Sequence, residues 1–536
     1  MKKAGLLLPV FSLPGKYGIG SLGKEAMDFI DLLADTGNKI WQVLPMGPTG
    51  FGDSPYQAFS AFAGNPYFVN LEKLTEEGLL TEEFLADLDF GEDPGRVDYG
   101  KQYVSRNLAL REAYRRFKKL EGSSVSELLK ETPEETLEYC RFMAIKQAEQ
   151  GEHWNRWPEK LRDHDKAAVE AFTGEHEDEI GFHAFVQMEF RKQWQEVHDY
   201  ARVRGIEILG DIPIYCAADS SDVWAHRELF QYDKDGDPTG VAGVPPDAFS
   251  ATGQLWGNPL YDWQQHAVTG FQWWIDRIGY CFDLYDALRV DHFRGFEAYY
   301  SIPYGDETAE NGKWVKGPGM ALFRALYEHF GTKKLPIVAE DLGVITDEVR
   351  ELMEETGFPG MKVLQFAWDA GAGNTYLPHN FTTTNCICYT GTHDNDTLRH
   401  WFETIPDWER NYIYQYTSRS GNDWYAMPEL LIKCAMGTIA DTVIIPAADY
   451  LGLEGEARIN QPGTSGANWQ WRMQEGAFTE HEKQVMAEIV GVYGRYQKAN
   501  PKPEPAEEKE AETEAEVEAE DSVETEAQAS PEAEKE

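Results

Sequence analysis

The stretch ALRVDHFRG (residues 287–295) ends an apolar run with an arginine and an aspartate that are one residue apart. Because side chains alternate along a β-strand, Arg289 and Asp291 would lie on one face, about 7 Å apart. A strand that is buried on both sides accepts such a pair only where it opens onto something polar. A structural ion pair explains this stretch equally well, so the choice depends on the other apolar runs of the chain.

Eight short apolar runs of this kind recur along the chain. They are AGLLLP (4–9), KIWQVLP (39–45), EILGDIP (207–213), ALRVDH (287–292), PIVAEDL (336–342), KVLQFA (362–367), CICYTGTHD (386–394) and TVIIPAADYL (442–451). Segments with helical periodicity, such as SLGKEAMDFIDLLADTG (21–37), lie between most of them. Eight buried strands that alternate with helices predict an α/β fold, the (β/α)8 or TIM barrel. A doubly wound open sheet is the alternative, but no GxGxxG or P-loop motif follows any run.

Two connections are too long for simple crossovers, and both follow strand ends on the face where barrel enzymes build their active sites. We therefore expect a catalytic barrel over residues 1–500, with large and mainly helical insertions after strands 2 and 3, at about 46–206 and 214–286. Residues 501–536 are rich in Glu and Ala and have almost no large apolar side chains. We expect a disordered acidic tail there, because such a segment cannot bury enough surface to offset the entropy of ordering.

Charge and composition exclude several classes of partner. The chain has 49 Lys+Arg against 92 Asp+Glu, a net charge of -43, whereas nucleic acids and anionic membranes attract basic surfaces. No stretch reaches about 18 apolar residues, and the N-terminal run LLLPVF is too short for a signal peptide. The six cysteines form no CxxC pair, and no Cys/His spacing predicts a metal site. We expect a cytoplasmic protein that uses no metal or cofactor and binds neither nucleic acid nor a membrane.

Polar residues cluster where the predicted strands end. These residues are Asp211, Arg289, Asp291, His292, Glu340, Asp341, His393 and Asp394. A cap or an ion pair is an adequate explanation for each of them singly. Together, however, they place several carboxylates around one barrel mouth, where they repel one another unless they have a task or a metal. Paired carboxylates in an aromatic-lined cleft suit glycosidic chemistry, in which one attacks the anomeric carbon and the other protonates the leaving oxygen.

Segments along most of the chain resemble those of the amylomaltases, the 4-α-glucanotransferases or disproportionating enzymes of glycoside hydrolase family 77. The segments are ALRVDHFRG, IVAEDLG, YTGTHDN, LGDIPIY, GDSPYQ, GVPPDAFSATGQLWGNPLY and RINQPGT. The resemblance covers roughly residues 4–497, with the motifs in order. The related α-amylases share the Arg-x-Asp and His-Asp strand ends, but their third-strand motif normally carries Asn-His after the aspartate. This chain has GDIPIYCAADSSDVW there, which is more similar to the glucanotransferases.

The resemblance implies a role for each of three carboxylates. Asp291 matches the nucleophile, which would form a β-glycosyl-enzyme with the donor glucose. Glu340 matches the general acid/base, which would protonate the leaving glucan and then deprotonate the incoming 4-hydroxyl. Asp394 matches the carboxylate that would bind the 2- and 3-hydroxyls of the distorted ring and stabilise the oxocarbenium-like transition state.

Other matching residues would bind the glucan or support the site. Arg289 would hold Asp291 ionised and oriented, Asp211 would support the site near Arg289, and His393 would donate to the sugar. The remaining substrate-binding candidates are Ser54 and Tyr56 on the cleft walls, Asp247, Phe249, Gln254 and Trp256 in a loop over the cleft, and Asn460, which could instead be a turn residue.

As a whole, the resemblance implies transfer of α-1,4-glucan segments from a donor maltodextrin to the 4-hydroxyl of an acceptor glucan or glucose by a retaining double displacement. The partners would be maltooligosaccharides, amylose, starch or glycogen chains, and glucose. One alternative is a retaining α-1,4-glucan hydrolase of the α-amylase type, since the same carboxylates perform both reactions; an aromatic loop that excludes water would favour transfer. The other alternative, a catalytically silent glucan-binding protein, is less consistent with the presence of all three carboxylates.

Overall fold

The computed structural model describes residues 2–120, 124–234, 236–246, 250–419, 426–464 and 466–502. Within these ranges the chain forms twelve β-strands, which fall into two sheets. The strands are β1 (Lys3–Leu7), β2 (Ile40–Gln42), β3 (Glu207–Pro213), β4 (Gly240–Val244), β5 (Gln254–Pro259), β6 (Ala287–Asp291), β7 (Ala298–Pro303), β8 (Lys313–Lys316), β9 (Ile337–Ala339), β10 (Gly360–Val363), β11 (Cys386–Tyr389) and β12 (Thr442–Pro446).

Eight of these strands form a parallel sheet in the order β10-β11-β12-β1-β2-β3-β6-β9. Along the chain these strands occur in the order β1, β2, β3, β6, β9, β10, β11 and β12. Strands that are consecutive in this series lie side by side, except for the edge strands β9 and β10, and the last strand, β12, lies beside the first. The two edge strands approach each other, because the N–H of Ala339 at the end of β9 donates to the carbonyl of Pro359 just before β10, at 2.9 Å. The sheet is therefore a nearly closed barrel. Each of the eight apolar runs overlaps one of its strands, although β1 begins one residue and β10 two residues before the run. The predicted (β/α)8 fold is confirmed.

The barrel strands read as apolar runs because they are covered on both faces. In β1, residues Ala4 to Leu7 are buried, and β1 pairs in parallel with both β12 and β2. Gly5 allows the close approach to β2, since a Cβ atom at this position would lie 2.4 Å from the carbonyl oxygen of Ile40.

Helices surround the barrel and make up most of the segment between β2 and β3. The helices are α1 (Lys24–Asp35), α2 (Leu71–Glu76), α3 (Glu82–Ala86), α4 (Tyr99–Phe117), α5 (Val125–Glu131), α6 (Glu134–Ala148), α7 (Glu159–Arg162), α8 (Lys166–Glu175), α9 (Glu177–Arg204), α10 (Ser221–Ala225), α11 (Trp263–Val268), α12 (Gln272–Leu284), α13 (Met320–Phe330), α14 (Asp347–Thr356), α15 (Leu398–Thr404), α16 (Asp407–Tyr416), α17 (Met427–Met436), α18 (Ala447–Tyr450) and α19 (Glu480–Val492). Helices α2 to α9 all lie between β2 and β3. Among the described helices, none is long and apolar enough to cross a membrane.

The second sheet is antiparallel and has the order β5-β4-β7-β8. Strands β4 and β5 come from the segment between β3 and β6, whereas β7 follows β6 almost directly. The sequence analysis did not anticipate this sheet. The sequence of β4, GVAGV, contains two glycines and has weak strand propensity, so its conformation depends on pairing with β5 and β7.

A buried arginine near the C-terminal end of the described chain joins two neighbouring barrel strands. Arg495 is fully buried, and its guanidinium donates to the carbonyl oxygens of Met436 (2.9 Å), Thr438 (3.1 Å), Ala440 (2.9 Å) and Lys3 (3.2 Å). Three of these carbonyls precede β12 and the fourth lies at the start of β1. The segment around Arg495 is therefore attached to the barrel. The predicted acidic tail lies outside the described residues from residue 503 onward.

We predict that Arg495→Met lowers the free energy of unfolding by about 3 kcal/mol, because it leaves several buried carbonyl groups without their donor. A chain that ends at Lys502 should keep the melting temperature of the full chain, since the sequence of the removed residues has almost no large apolar side chains to bury. Urea unfolding and calorimetry measure both effects, with Arg202→Met as the exposed control. A loss of several degrees on removal of residues 503–536 would contradict the expected tail.

Candidate active site

One buried arginine joins two strand-end carboxylates at the mouth of the barrel. The side chain of Arg289 is 3% exposed. Its Nη1 donates to both carboxylate oxygens of Asp211, at 2.8 and 2.6 Å, and its Nη2 donates to Asp291 Oδ1 at 2.7 Å. Asp211 lies directly opposite Arg289 in the β3–β6 register. Burial opposes the charge, but the two carboxylates outweigh it and raise the pKa of Arg289 well above its ordinary value, so the guanidinium stays protonated.

The carboxyl group of Glu340 lies just beyond β9, where two backbone amides hold it. Its Oε2 accepts from the N–H of His292 and its Oε1 from the N–H of Leu342, each at 2.7 Å. Burial, and after it the negative charge of Asp291, raise the pKa of Glu340 to about 8. A carboxyl group that keeps its proton at pH 7 can serve as a general acid. Asp291, by contrast, is 32% exposed and faces the guanidinium of Arg289.

A left-handed backbone conformation at the end of β6 aims one of these amides at Glu340. His292 has φ 53°, a value that non-glycine residues adopt at a cost. The turn ends the strand directly after Asp291 and brings the N–H of His292 to Glu340. The imidazole of His292 is buried, which lowers its pKa to about 4, so the ring is neutral at pH 7.

The third carboxylate, Asp394, lies in the loop after β11. Asn460 Nδ2 donates to Asp394 Oδ1 at 2.6 Å, and His393 Nε2 lies 3.3 Å from the same oxygen. Burial lowers the pKa of His393. The ring of Tyr56 stacks on His393 with centroids 5.1 Å apart, and its hydroxyl donates to Asp211 Oδ2 at 3.0 Å. Tyr56 thus connects the Asp394 side of the site to the Arg289 side.

These groups open onto a cleft of about 330 Å³. The residues predicted from the sequence that line it are Ser54, Tyr56, Gln254, Trp256, Asp291, His393, Asp394 and Asn460. Arg289, Asp211 and Glu340 lie behind this lining and contact it through the hydrogen bonds given above. Asp247 and Phe249, which were predicted to bind substrate, lie outside the described residues. The structure therefore brings eleven of the thirteen predicted residues together at one place.

Strand β5 places an aromatic side chain on one wall of the cleft. The ring of Trp256 is nearly perpendicular to that of His292, at 87°, with centroids 4.9 Å apart. Its Nε1 donates to Gln254 Oε1 at 3.1 Å. An indole held in this way presents a flat apolar surface of the kind on which sugar rings stack.

The cleft also has lining residues that were not predicted to bind substrate. They are Gln57, Pro213, Ile214, Tyr215, Asn258, His292, Pro462, Gly463 and Trp469. His292 was noted only as a strand-end residue. Trp469 completes an aromatic wall with Tyr56 and His393, at centroid distances of 5.9 and 6.0 Å, and no local pattern in the sequence marks it.

The strand-end residue Asp341 has a structural role, because its carboxylate accepts from the N–H of Met361 at 2.6 Å.

Comparisons with known proteins agree with this geometry. The family described as 4-alpha-glucanotransferase, glycoside hydrolase family 77, matches residues 8–479. A 4-alpha-glucanotransferase of Thermus thermophilus is 46% identical over 492 residues, which cover 90% of this chain and 97% of the relative. One of Clostridium butyricum is 44% identical over 491 residues, which cover 91% and 99%. The solved amylomaltase from Streptococcus agalactiae in complex with acarbose has a TM-score of 0.89 and 39% identity, and the match covers 93% of this chain and 100% of that one. The chain belongs to the 4-alpha-glucanotransferases of glycoside hydrolase family 77.

Proposed function

We propose that this protein transfers α-1,4-glucan segments from a donor maltodextrin to the 4-hydroxyl of an acceptor glucan or glucose, by a retaining double displacement. The observation that carries the proposal is the pair of unlike carboxyl groups at the barrel mouth: Asp291 faces the guanidinium of Arg289, whereas burial raises the pKa of Glu340 to about 8. Family membership, and the acarbose bound to the similar amylomaltase, support α-glucans and glucose as the partners.

In the first step, Asp291 attacks the anomeric carbon of the donor glucose, and Glu340 gives its proton to the leaving glycosidic oxygen. A β-glycosyl-enzyme forms, and the shortened glucan leaves. In the second step, Glu340, now ionised, takes the proton of an acceptor 4-hydroxyl, which displaces Asp291 from the anomeric carbon. Two inversions restore the α configuration.

The neighbouring side chains orient the sugar and stabilise the charge that develops on it. Asp394, held by Asn460, accepts from the 2- and 3-hydroxyls of the ring, and these bonds strengthen as the ring becomes oxocarbenium-like. The neutral imidazole of His393 donates to the same sugar. Arg289 fixes the direction of the attacking Asp291 oxygen, since its other nitrogen is already bound to a carboxylate that is buried in β3.

Transfer requires that water does not reach the glycosyl-enzyme before a sugar does. Trp256 and Gln254 on β5 line the cleft together with Asp291. We propose that the indole of Trp256 shields the glycosyl-enzyme from water. The relatives described above are named 4-alpha-glucanotransferases, which favours transfer over hydrolysis of the α-amylase type. The three carboxylates around one cleft do not favour a silent glucan-binding protein.

A cytoplasmic location is also part of the proposal. Its support is that all six cysteines, at positions 140, 216, 281, 386, 388 and 434, are free thiols. Free thiols are the usual state of cysteine in reducing compartments.

Incubation with maltotriose alone tests the reaction type. We predict that the protein produces glucose together with maltotetraose and longer chains, which chromatography resolves as a ladder. The matched variant Asp291→Asn should slow the reaction by roughly 10⁴-fold or more, because the attacking oxygen is gone. Glucose and maltose without any longer product would show hydrolysis instead.

A donor with a good leaving group separates the roles of the two carboxyl groups. An α-glucosyl fluoride needs little acid assistance to react with Asp291, but the second step still needs a base. We predict that Glu340→Gln forms a glycosyl-enzyme and then stalls, which intact-mass spectrometry detects as a gain of one glucosyl unit. Asp291→Asn should gain no mass. An adduct on Asp291→Asn, or one that maps to another residue in Glu340→Gln, would overturn the assignment of the nucleophile.

A further inference from the structure

The loop that carries Asp394 is tied to a second loop, between α18 and α19, by the side chain of Arg458. Arg458 Nη2 donates to the main-chain carbonyl of Asp394 and its Nε donates to that of Asn460, both at 2.8 Å. Its Nη1 lies 3.7 Å from Asp396 Oδ2. A single guanidinium therefore contacts three residues on two segments that are distant in the sequence.

The two loops also bind each other directly, on the side that faces the cleft. The N–H of Asn460 donates to the carbonyl of His393 at 3.0 Å, and the amide of Asn460 donates to Asp394 Oδ1 at 2.6 Å. The direction of the Asp394 carboxylate thus depends on where Asn460 lies. The bond from Arg458 to the carbonyl of Asn460 is a second main-chain contact that holds Asn460 in position.

We infer that Arg458 is a positioning residue for the glucan-transfer reaction, which sets the geometry of Asp394 and Asn460 by holding their main-chain carbonyls. Arg458 is not among the described residues that line the cleft, so it acts through its neighbours and does not touch the glucan. The inference rests on the proposed function, because it presumes that Asp394 binds the reacting sugar.

The chemistry of the side chain explains why an arginine occupies this position. Its Nε and Nη donors lie in a rigid plane, so one group can serve two carbonyls at once. Donation from a charged group strengthens both bonds. A lysine would keep the charge of Arg458, but its single ammonium lacks this fixed fork.

Other contacts hold the Asp394 loop in place without Arg458. The carboxylate of Asp449 accepts from Thr390 Oγ1 at 2.6 Å and from the N–H of Leu398 at 2.8 Å. Thr390 and Leu398 lie on either side of Asp394 in the chain. We therefore expect variants at Arg458 to fold, with the loop retained and only the direction of the Asp394 carboxylate altered.

The test compares Arg458→Met and Arg458→Lys with the wild-type protein, in steady-state kinetics with maltotriose. Arg116→Met is the matched control, because Arg116 has a similarly exposed side chain (30% against 25%) and pairs within α4. Arg458→Met should lower kcat about 100-fold, since a displacement of about 1 Å has this effect. KM should change by less than about threefold, because the Asp394 bonds strengthen in the transition state. The melting temperature should fall by only a few degrees.

A double-mutant cycle with Asp394→Asn separates positioning from a general structural role. If Arg458 acts through Asp394, then Arg458→Met should lower kcat by less than about threefold in the Asp394→Asn background. The same roughly 100-fold loss in both backgrounds would overturn the inference, as would wild-type kcat in Arg458→Met or an equal loss in Arg116→Met. If Arg458→Met does not fold, the same double-mutant cycle is measured with Arg458→Lys and Asp394→Asn, and the same outcomes support or overturn the inference. If Asp394→Asn alone kept wild-type kcat, the proposed function itself would be contradicted. If Asp394→Asn were impaired while Arg458→Met kept wild-type kcat, the proposed function would stand and only the inference about Arg458 would be overturned.

Discussion

The ion pairs of Arg289 are the interaction on which the site and much of the barrel depend. A buried guanidinium is stable only when carboxylates compensate its charge, and loss of one partner from such a group costs about 3–5 kcal/mol. Here the partners come from two strands: Asp211 opposite in β3, and Asp291 two residues further along β6. A slip of one residue between β3 and β6 would separate Asp211 from Arg289 and leave the guanidinium with Asp291 as its partner. The same ion pair between Asp211 and Arg289 therefore depends on the register of β3 and β6 and sets the geometry of the site.

This constraint places two carboxyl groups of the same chemical type in different electrostatic surroundings. Asp291 is paired directly with the guanidinium of Arg289, whereas the carboxyl group of Glu340 is buried near the negative charge of Asp291 and accepts from the amides of His292 and Leu342. The strained backbone of His292 contributes directly, because it supplies one of these amides. Both environments are built by backbone and barrel strands before any glucan binds, so the site needs little reorganisation during the reaction.

The sequence predicted the barrel because strands buried on both faces give apolar runs, and it predicted the Arg289–Asp291 pair from the alternation of side chains along β6. The family resemblance supplied the roles, and the structure brings together the candidates that it describes. Local patterns could not predict β4 and β5, whose conformation depends on distant pairing. They also gave no sign that His292 holds Glu340, that Trp469 stacks beside Tyr56, or that Arg458 ties two loops together. Each of these contacts joins residues through tertiary structure alone.

The central claim is that these surroundings keep a proton on Glu340 at neutral pH, and the pH dependence of kcat/KM for maltotriose tests it directly. Because the pKa of Glu340 is raised to about 8, its acid form persists well above the ordinary range of a carboxyl group, near pH 4.3, and is lost only as the pH rises through about 8. The account predicts that kcat/KM holds through neutral pH and then falls about tenfold per pH unit above about 8, whereas the reaction of Glu340→Gln with a glycosyl fluoride lacks this decline. A kcat/KM that already falls above about pH 5, or that stays constant to about pH 10, would contradict it.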